Sequence, residues 1–176
     1  GLTQERRRMQ ARQALKEHFV LDKIAETWSN AEANPIKPKV VENAPCQEIV
    51  YQGADLDKPG QGLDGIPVPM STPGWDNAPY TTLSQYITRD PDTGVQNLGN
   101  YRGQIKTRKR LGMNPSLELR PGIYVHWQKY KKMGKKMPAC VVLGAPPAIT
   151  FTSNQKLPEH VDEFDVAGGL VGSPIN

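Results

Sequence analysis

The sequence predicts a mixed α and β (α+β) domain, and three observations carry that expectation. Tyr86, Ile87 and Thr88, then Val95, Leu98, Tyr101 and Ile105, are β-branched, aliphatic or aromatic residues on either side of a turn motif, as paired strands require. Apolar residues recur at helical spacing over Leu15–Trp28 and again over Ile123–Lys132. Pro138–Gly144 is a short unbroken apolar run bounded by Pro and Gly, the pattern of a buried central strand.

Taken in order, Thr3 followed by Gln4 and Glu5 is a helix start, a hydroxyl cap with an acid in the first turn. Leu15, Phe19, Ile24 and Trp28 continue as an apolar stripe that Asn34-Pro35 ends. Nothing in the neighbouring sequence shows what that stripe packs on. His18 lies on the same helix, where an isolated His is more often surface decoration than a ligand. Pro35–Pro38 reads as an extended arm, and Cys46–Tyr51 as a short strand. Gly53–Pro69 carries too many Gly, Pro and Asp residues to be anything but loop, tethered by Leu63, Ile66 and Val68. Ser71–Pro79 is a second turn-rich stretch, with Trp75 as a staple to the core or a stacking platform for a ligand.

The centre is the hairpin from Ser84 to Arg110. Pro91 presets φ for its turn, Asp90 and Asp92 can cap it, and Gly94 can take the positive φ that closes it. The second strand carries Asn97, Gly99 and Arg102 where a plain sheet has apolar residues, and Gly within a strand often marks a close backbone approach. Two readings stand: a twisted edge hairpin with polar residues in solvent, or an anion bound there with Arg102 offering its fork of donors. Gly112–Ser116 and Arg120–Gly122 read as turns. Ile123 and Trp127, with His126 and Tyr130, lie four apart, predicting a helix that ends at Gly134. Ile149–Ser153 begins a helix or a strand. Leu157–Phe164 opens a further helix with Pro158 at its start and Val161, Phe164 and Leu170 on its apolar face. Glu159, Asp162 and Glu163 there could ligate a hard cation or simply complement the helix dipole.

Composition narrows the function classes. A hydrophobic fraction of 37% with 16 Gly and 16 Pro among 176 residues is loop-rich but not that of a disordered chain. The net charge of +4 suits an anionic ligand and is too small to argue for nucleic acid. The basic runs Arg6–Arg8, Lys106–Arg110 and Lys129–Lys136 read as solvated faces. Aromatics amid lysines can stack single-stranded bases, but the helix period already accounts for those near Lys129. Cys46 and Cys140 are far apart and without His or Cys at ligand spacing, which excludes a disulfide scaffold and a zinc knuckle and suits a reducing cytoplasm. No apolar run spans a bilayer and no secretory leader opens the chain. Starting at Gly1 and stopping at Asn176, the chain reads as a piece of a longer polypeptide. There is no Gly-rich phosphate loop, nucleophile elbow or repeat.

Several stretches in order carry a resemblance. They are Asn34-Pro35 to Ala44–Glu48; Ile66–Pro69 with Thr72–Gly74; Ile87–Val95 into Asn97–Arg102; Met137-Pro138 to Leu143-Gly144; Pro147-Ala148; and Leu157-Pro158 to Asp162–Phe164 with Ala167-Gly168. Together they resemble the UbiD family of reversible aromatic-acid decarboxylases that use prenylated FMN, over nearly the whole chain from Asn34 onward. The resemblance implies a split β-barrel related to flavin reductases as the cofactor-binding domain. It divides the chain into a helical arm (1–34), an extended connection (35–80) and the split barrel (81–176).

The resemblance also implies site residues. Asn97 and Glu163 match residues that bind a divalent metal, usually manganese, which grips the flavin phosphate. That is sound chemistry, since a hard cation with oxygen ligands neutralises phosphate oxygens. Asn100, Tyr101 and Arg102 match cofactor-lining positions, and the Arg also pairs with a catalytic carboxylate. Asn114, Pro115 and Ser116, with Pro121 and Gly122, match further cofactor loops. Thr152, Ser153 and Gln155 fall where family members hold a monovalent cation, K+. The partners implied are a small aromatic or unsaturated carboxylic acid and further copies of the full-length chain, with no nucleic acid. Two departures stand out. A metal-binding His in many family members is matched here near Arg120, with His126 further along the helix, so either the shell is completed differently or Arg120 meets the phosphate. The catalytic carboxylate lies beyond Asn176, so no residue here is assigned as proton donor. A non-catalytic flavin- or phosphate-binding module is the alternative function.

Overall fold

The computed structural model describes residues 21–176 of the chain. The expected helix start at Thr3, the Arg6–Arg8 run, Leu15, His18 and Phe19 lie outside the described residues. The order of elements is α1 (Leu21–Ala33), β1 (Tyr80–Thr81), β2 (Ser84–Arg89), β3 (Gln96–Asn100), β4 (Gly103–Thr107), β5 (Arg110–Met113), α2 (Gly122–Lys132), β6 (Ala139–Leu143), α3 (Pro147–Thr152) and α4 (Glu163–Val171). They form two three-stranded antiparallel sheets, ordered β1-β4-β5 and β3-β2-β6. No closed barrel is formed among the described residues.

The hairpin turn forms as its residues dictate. Asp90 Oδ1 accepts from the N–H groups of Asp92 and Thr93 at 2.8 and 3.4 Å, and Gly94 takes φ +80°. β2 and β3 then pair from Gln85↔Asn100 to Arg89↔Gln96. The expected second strand is not continuous to Ile105. It breaks at Tyr101-Arg102, where Ser84 holds the chain from both sides: its carbonyl accepts from Tyr101 N–H (3.1 Å) and its hydroxyl donates to Tyr101 O (2.5 Å). That kink passes the chain from one sheet to the other. β4 and β5 turn at Arg108-Lys109, so Gly112 and Met113 lie in a strand and not in the expected turn.

Three other expectations are corrected. Cys46–Tyr51 is not a strand: a short 3-10 turn covers Pro45–Gln47, and Ile49, Val50 and Tyr51 lie exposed. Pro138–Gly144 does contain a strand, but β6 is an edge and its side chains are largely exposed. An apolar run gives the strand propensity, whereas its place in the sheet depends on long-range partners. Central position falls to β2, which pairs on both sides and is buried over most of its length. Finally, Pro158 sits in a turn, and α4 starts later at Glu163 with Asp162 as its cap, accepting from Phe164 N–H at 2.9 Å.

Helices cover one face of the β3-β2-β6 sheet, where Leu98, Ile149 and Ala167 form the core with Ile87 and Phe164 packed on them. The stripe of α1 finds its cover there too. Trp28 meets Phe151 edge-on at 5.4 Å, and Ala31 is fully buried against α4. α2 packs on the other face through Ile123 and His126, so the stripe is turned from the expected one and Trp127 stays exposed beneath Lys131. Trp75 does not staple its loop; it is 88% exposed.

Candidate functional site

The site is built on the free edge of β3. An edge strand leaves alternate N–H groups without ladder partners, and here each is met from α4 or from the residue after α3. Gln96 N–H donates to Asp162 Oδ2 (3.2 Å), Leu98 N–H to Glu163 Oε2 (3.1 Å) and Asn100 N–H to the Ser153 carbonyl (3.2 Å). The acids at the start of α4 therefore cap both their own helix and the strand beside it. Glu163 is 8% exposed. Burial drives its carboxyl up to about 7, against the pull of the Leu98 N–H, with the neighbouring Asp162 adding to the rise.

Asn97 lies next in the strand and points to the other face, against the first turn of α2. Its amide nitrogen is buried with no partner, and a Cβ on Gly122 would overlap its amide oxygen. Gly122 is thus the residue that lets helix and Asn97 meet. Gly99 does the same for Tyr101. The close approach that a strand glycine signals is made by the Tyr101 ring, which lies over it and meets Tyr86 edge-on at 5.8 Å. Burial, then the charge of Glu163, pushes the Tyr101 phenol to about 12, so it stays a neutral donor.

A second polar group borders the same space. His126 Nδ1 is 2.9 Å from Thr88 Oγ1, and Nε2 is 3.9 Å from Asp90 Oδ2. Burial depresses the imidazole below its ordinary pKa, with Asp90 opposing. Burial would raise Asp90, but Lys129 Nζ at 2.6 Å and the turn N–H groups outweigh it and hold the carboxyl below its ordinary value.

Asn97, Asn100, Tyr101, Pro121, Gly122 and Glu163 line one cavity of about 550 Å³, within the range of small-ligand sites. Arg102, Asn114, Pro115 and Ser116 are not on its wall. Arg102 is exposed just past the kink, because the break at Tyr101 turns it away. Ser153 and Gln155 join the lining, and Thr152 lies fully buried. Arg120 and Lys156 supply positive charge to the cavity, whose lining also includes Glu118 and Glu159. Arg120 holds φ +42°, a conformation a non-glycine residue rarely adopts. Asp90 and His126 also line the cavity, and sequence reasoning missed both. The signal was present for His126, which stands one turn after Gly122 on the helix face opposed to β2 and β3. Among the described residues no three His, Cys, Asp or Glu side chains group as a metal site.

Residues 39–176 match the UbiD family, described as the 3-octaprenyl-4-hydroxybenzoate carboxy-lyase Rift-related domain. An uncharacterized protein of Aquifex aeolicus (strain VF5) is 31% identical over 155 residues, covering 88% of this chain and 30% of its own length. Among solved structures, the UbiD-class enzyme HmfF from Pelotomaculum thermopropionicum in complex with FMN matches with TM-score 0.73 and 28% identity, over 85% of this chain and 32% of that one. An evolved dimeric form of HmfF, in complex with prFMN, matches with TM-score 0.69 and 26% identity over 85% and 33%. Vanillic acid decarboxylase of Sedimentibacter hydroxybenzoicus in closed form gives TM-score 0.75 and 25% identity over 91% and 33%. The chain spans about a third of the length of these relatives.

Proposed function

Since the chain belongs to the UbiD family, we propose that it is the cofactor-holding part of a prenylated-FMN-dependent decarboxylase or carboxylase acting on an aromatic or unsaturated carboxylic acid. The two three-stranded sheets are read as the halves of a split barrel. Residues 1–34 are the arm, 35–80 the connection and 81–176 the cofactor domain of a cytoplasmic, oligomeric full-length enzyme. The observation that carries this reading is the single cavity shared by Asn97, Asn100, Tyr101, Gly122 and Glu163 on the edge of β3.

The residues fit a divalent cation. The Asn97 amide nitrogen is buried with no acceptor, and the amide turned over would put its oxygen, a cation ligand, in that place; Glu163 is a carboxylate whose burial cost a nearby cation would relieve. Asn97 and Glu163 would hold manganese, which neutralises the flavin phosphate. Arg120 stands where it can meet the same phosphate directly. Thr152, Ser153 and Gln155 are the proposed holders of K+. Bound prenylated FMN supplies the electron sink for loss of CO₂. This chain's own part is to fix the cofactor: Tyr101, Asn100 and the Pro121–Gly122 loop wall its site, while Arg102, proposed to pair with the catalytic carboxylate, and the Asn114–Ser116 loop lie off that wall and would border the part of the cofactor that extends beyond it. Because Glu163 keeps a proton up to about pH 7, cation uptake should release a proton and weaken as pH falls below that value.

The test is retention of FMN on gel filtration of the full-length protein with and without Mn2+. Asn97→Ala and Glu163→Ala should abolish the metal-dependent part. Lys131→Ala, on the exposed face of α2 over Trp127, should leave it unchanged. Equal retention in all three variants overturns the assignment.

A further inference from the structure

Behind Asn100 lies a buried glutamine that the proposed site does not use. Gln85 is fully buried, and neither its Nε2 nor its Oε1 has a partner; Asn100 Oδ1 and Thr152 Oγ1 are buried and unpaired as well. Gln85 and Asn100 stand directly opposite on β2 and β3. The N–H of Asn100 goes outward to Ser153, so this is a non-hydrogen-bonded pair, with Cα atoms about 4.5 Å apart and side chains on one face. Unpaired buried amides are costly, and two on directly paired residues call for a common solution.

The orientation of each amide follows from its neighbours. Asn154 Nδ2 donates to the Thr150 carbonyl at 2.7 Å, so its oxygen is the acceptor that faces Asn100. Asn100 must therefore give its nitrogen to Asn154 Oδ1 (3.3 Å), which turns its own oxygen inward. That oxygen needs a donor. Gln85 Nε2 is the buried donor on the residue directly opposite.

We infer that Gln85 is a positioning residue. Its Nε2–H, through one enclosed water, holds Asn100 Oδ1 inward, so that Asn100 presents its second N–H to the cavity. The wall at Asn100 then selects a hydrogen-bond acceptor in the ligand, such as a ring carbonyl or an anionic oxygen, and disfavours a donor. This deepens the flavin reading and rests on it for the identity of the ligand.

The test uses the full-length protein, Gln85→Met, Asn100→Ala and the double variant. Gln85→Met keeps the length and removes both polar atoms. FMN dissociation constants are read by flavin fluorescence, and the Asn100 carboxamide is located in flavin-free crystal structures. Gln85→Met should weaken FMN about tenfold and shift the bound-flavin absorbance. It should add nothing in the Asn100→Ala background, and Asn100 should turn in the flavin-free crystal. An unchanged FMN constant, penalties that add, or an unturned Asn100 overturns the inference. If the parent binds no FMN, the cofactor reading falls and the flavin-free structures alone decide: a turned Asn100 supports the positioning role, and an unturned one refutes it. Should Gln85→Met not fold, Gln85→Leu, which has no polar hydrogen to donate, takes its place with the same expected outcomes.

Discussion

The β3-β2-β6 sheet has two edges, and they are treated in opposite ways. At β3 the unpaired N–H groups of Gln96, Leu98 and Asn100 are each taken by Asp162, Glu163 or Ser153, and the strand is half or fully buried. At β6 the side chains of Ala139, Cys140, Val141 and Leu143 are exposed. Polar residues crowd the covered edge and apolar ones the uncovered edge, the reverse of what composition alone suggests. The covered edge is expensive to build, since it buries a carboxyl and two amides with unpaired ends. That expense marks β3 as the working edge.

The largest expected effect lies at Glu163. The folded protein keeps a proton there up to about pH 7, while the unfolded chain releases it near 4.5. The ligand-free protein therefore has this group's contribution in full below pH 4.5 and loses it as pH rises to 7. The loss is about 3 kcal/mol at roughly 1.4 kcal/mol per pH unit. Glu163→Gln should flatten the profile and exceed the parent in stability at pH 8. Urea denaturation at pH 5 and pH 8 reads the parent-minus-variant difference, and an equal difference at both values removes the buried proton from the account.

Gly122→Ala comes next. Its methyl would meet the Asn97 side chain, and overpacking of this kind costs about 1–3 kcal/mol. An urea midpoint within error of the parent would mean that α2 can draw back from β3. Lys129→Met removes the partner of Asp90 across the hairpin and α2. Since Lys129 is a third exposed, the expected loss is about 1 kcal/mol. Asp90 is held below its ordinary pKa of 3.8, so that contribution is present above this value and lost as pH falls through the lowered one. A thermal-shift series should show the penalty at pH 7 shrinking at pH 3. Smallest is the other edge: Val141→Thr on β6, 37% exposed, should change stability by less than about 0.5 kcal/mol.

Much of the local structure was legible. The Asp90-Pro91 turn with Gly94, the helix ending at Gly134 and the loop over Gly53–Pro69 follow from residue chemistry within a few positions. What was not legible depends on partners distant in sequence. β6 reads as a central strand because Cys140, Val141, Val142 and Leu143 are apolar, yet only the pairing of β2 with both neighbours fixes which strand is central. The stripe of α2 was set by Trp127, but Thr88, 38 residues earlier, draws His126 inward. The site divides likewise. Asn97, Asn100, Tyr101, Pro121, Gly122 and Glu163 share a cavity, while the kink that Ser84 imposes at Tyr101 carries Arg102 off its wall.

The β3 edge is proposed to hold a cation and a flavin phosphate together. The direct measurement is anomalous X-ray scattering at the manganese edge from crystals of the full-length protein grown with FMN and Mn2+. One peak is expected, in contact with oxygens of both Asn97 and Glu163 and of the phosphate. A flavin bound elsewhere, or a phosphate held in this cavity with no metal against Asn97 and Glu163, would contradict it.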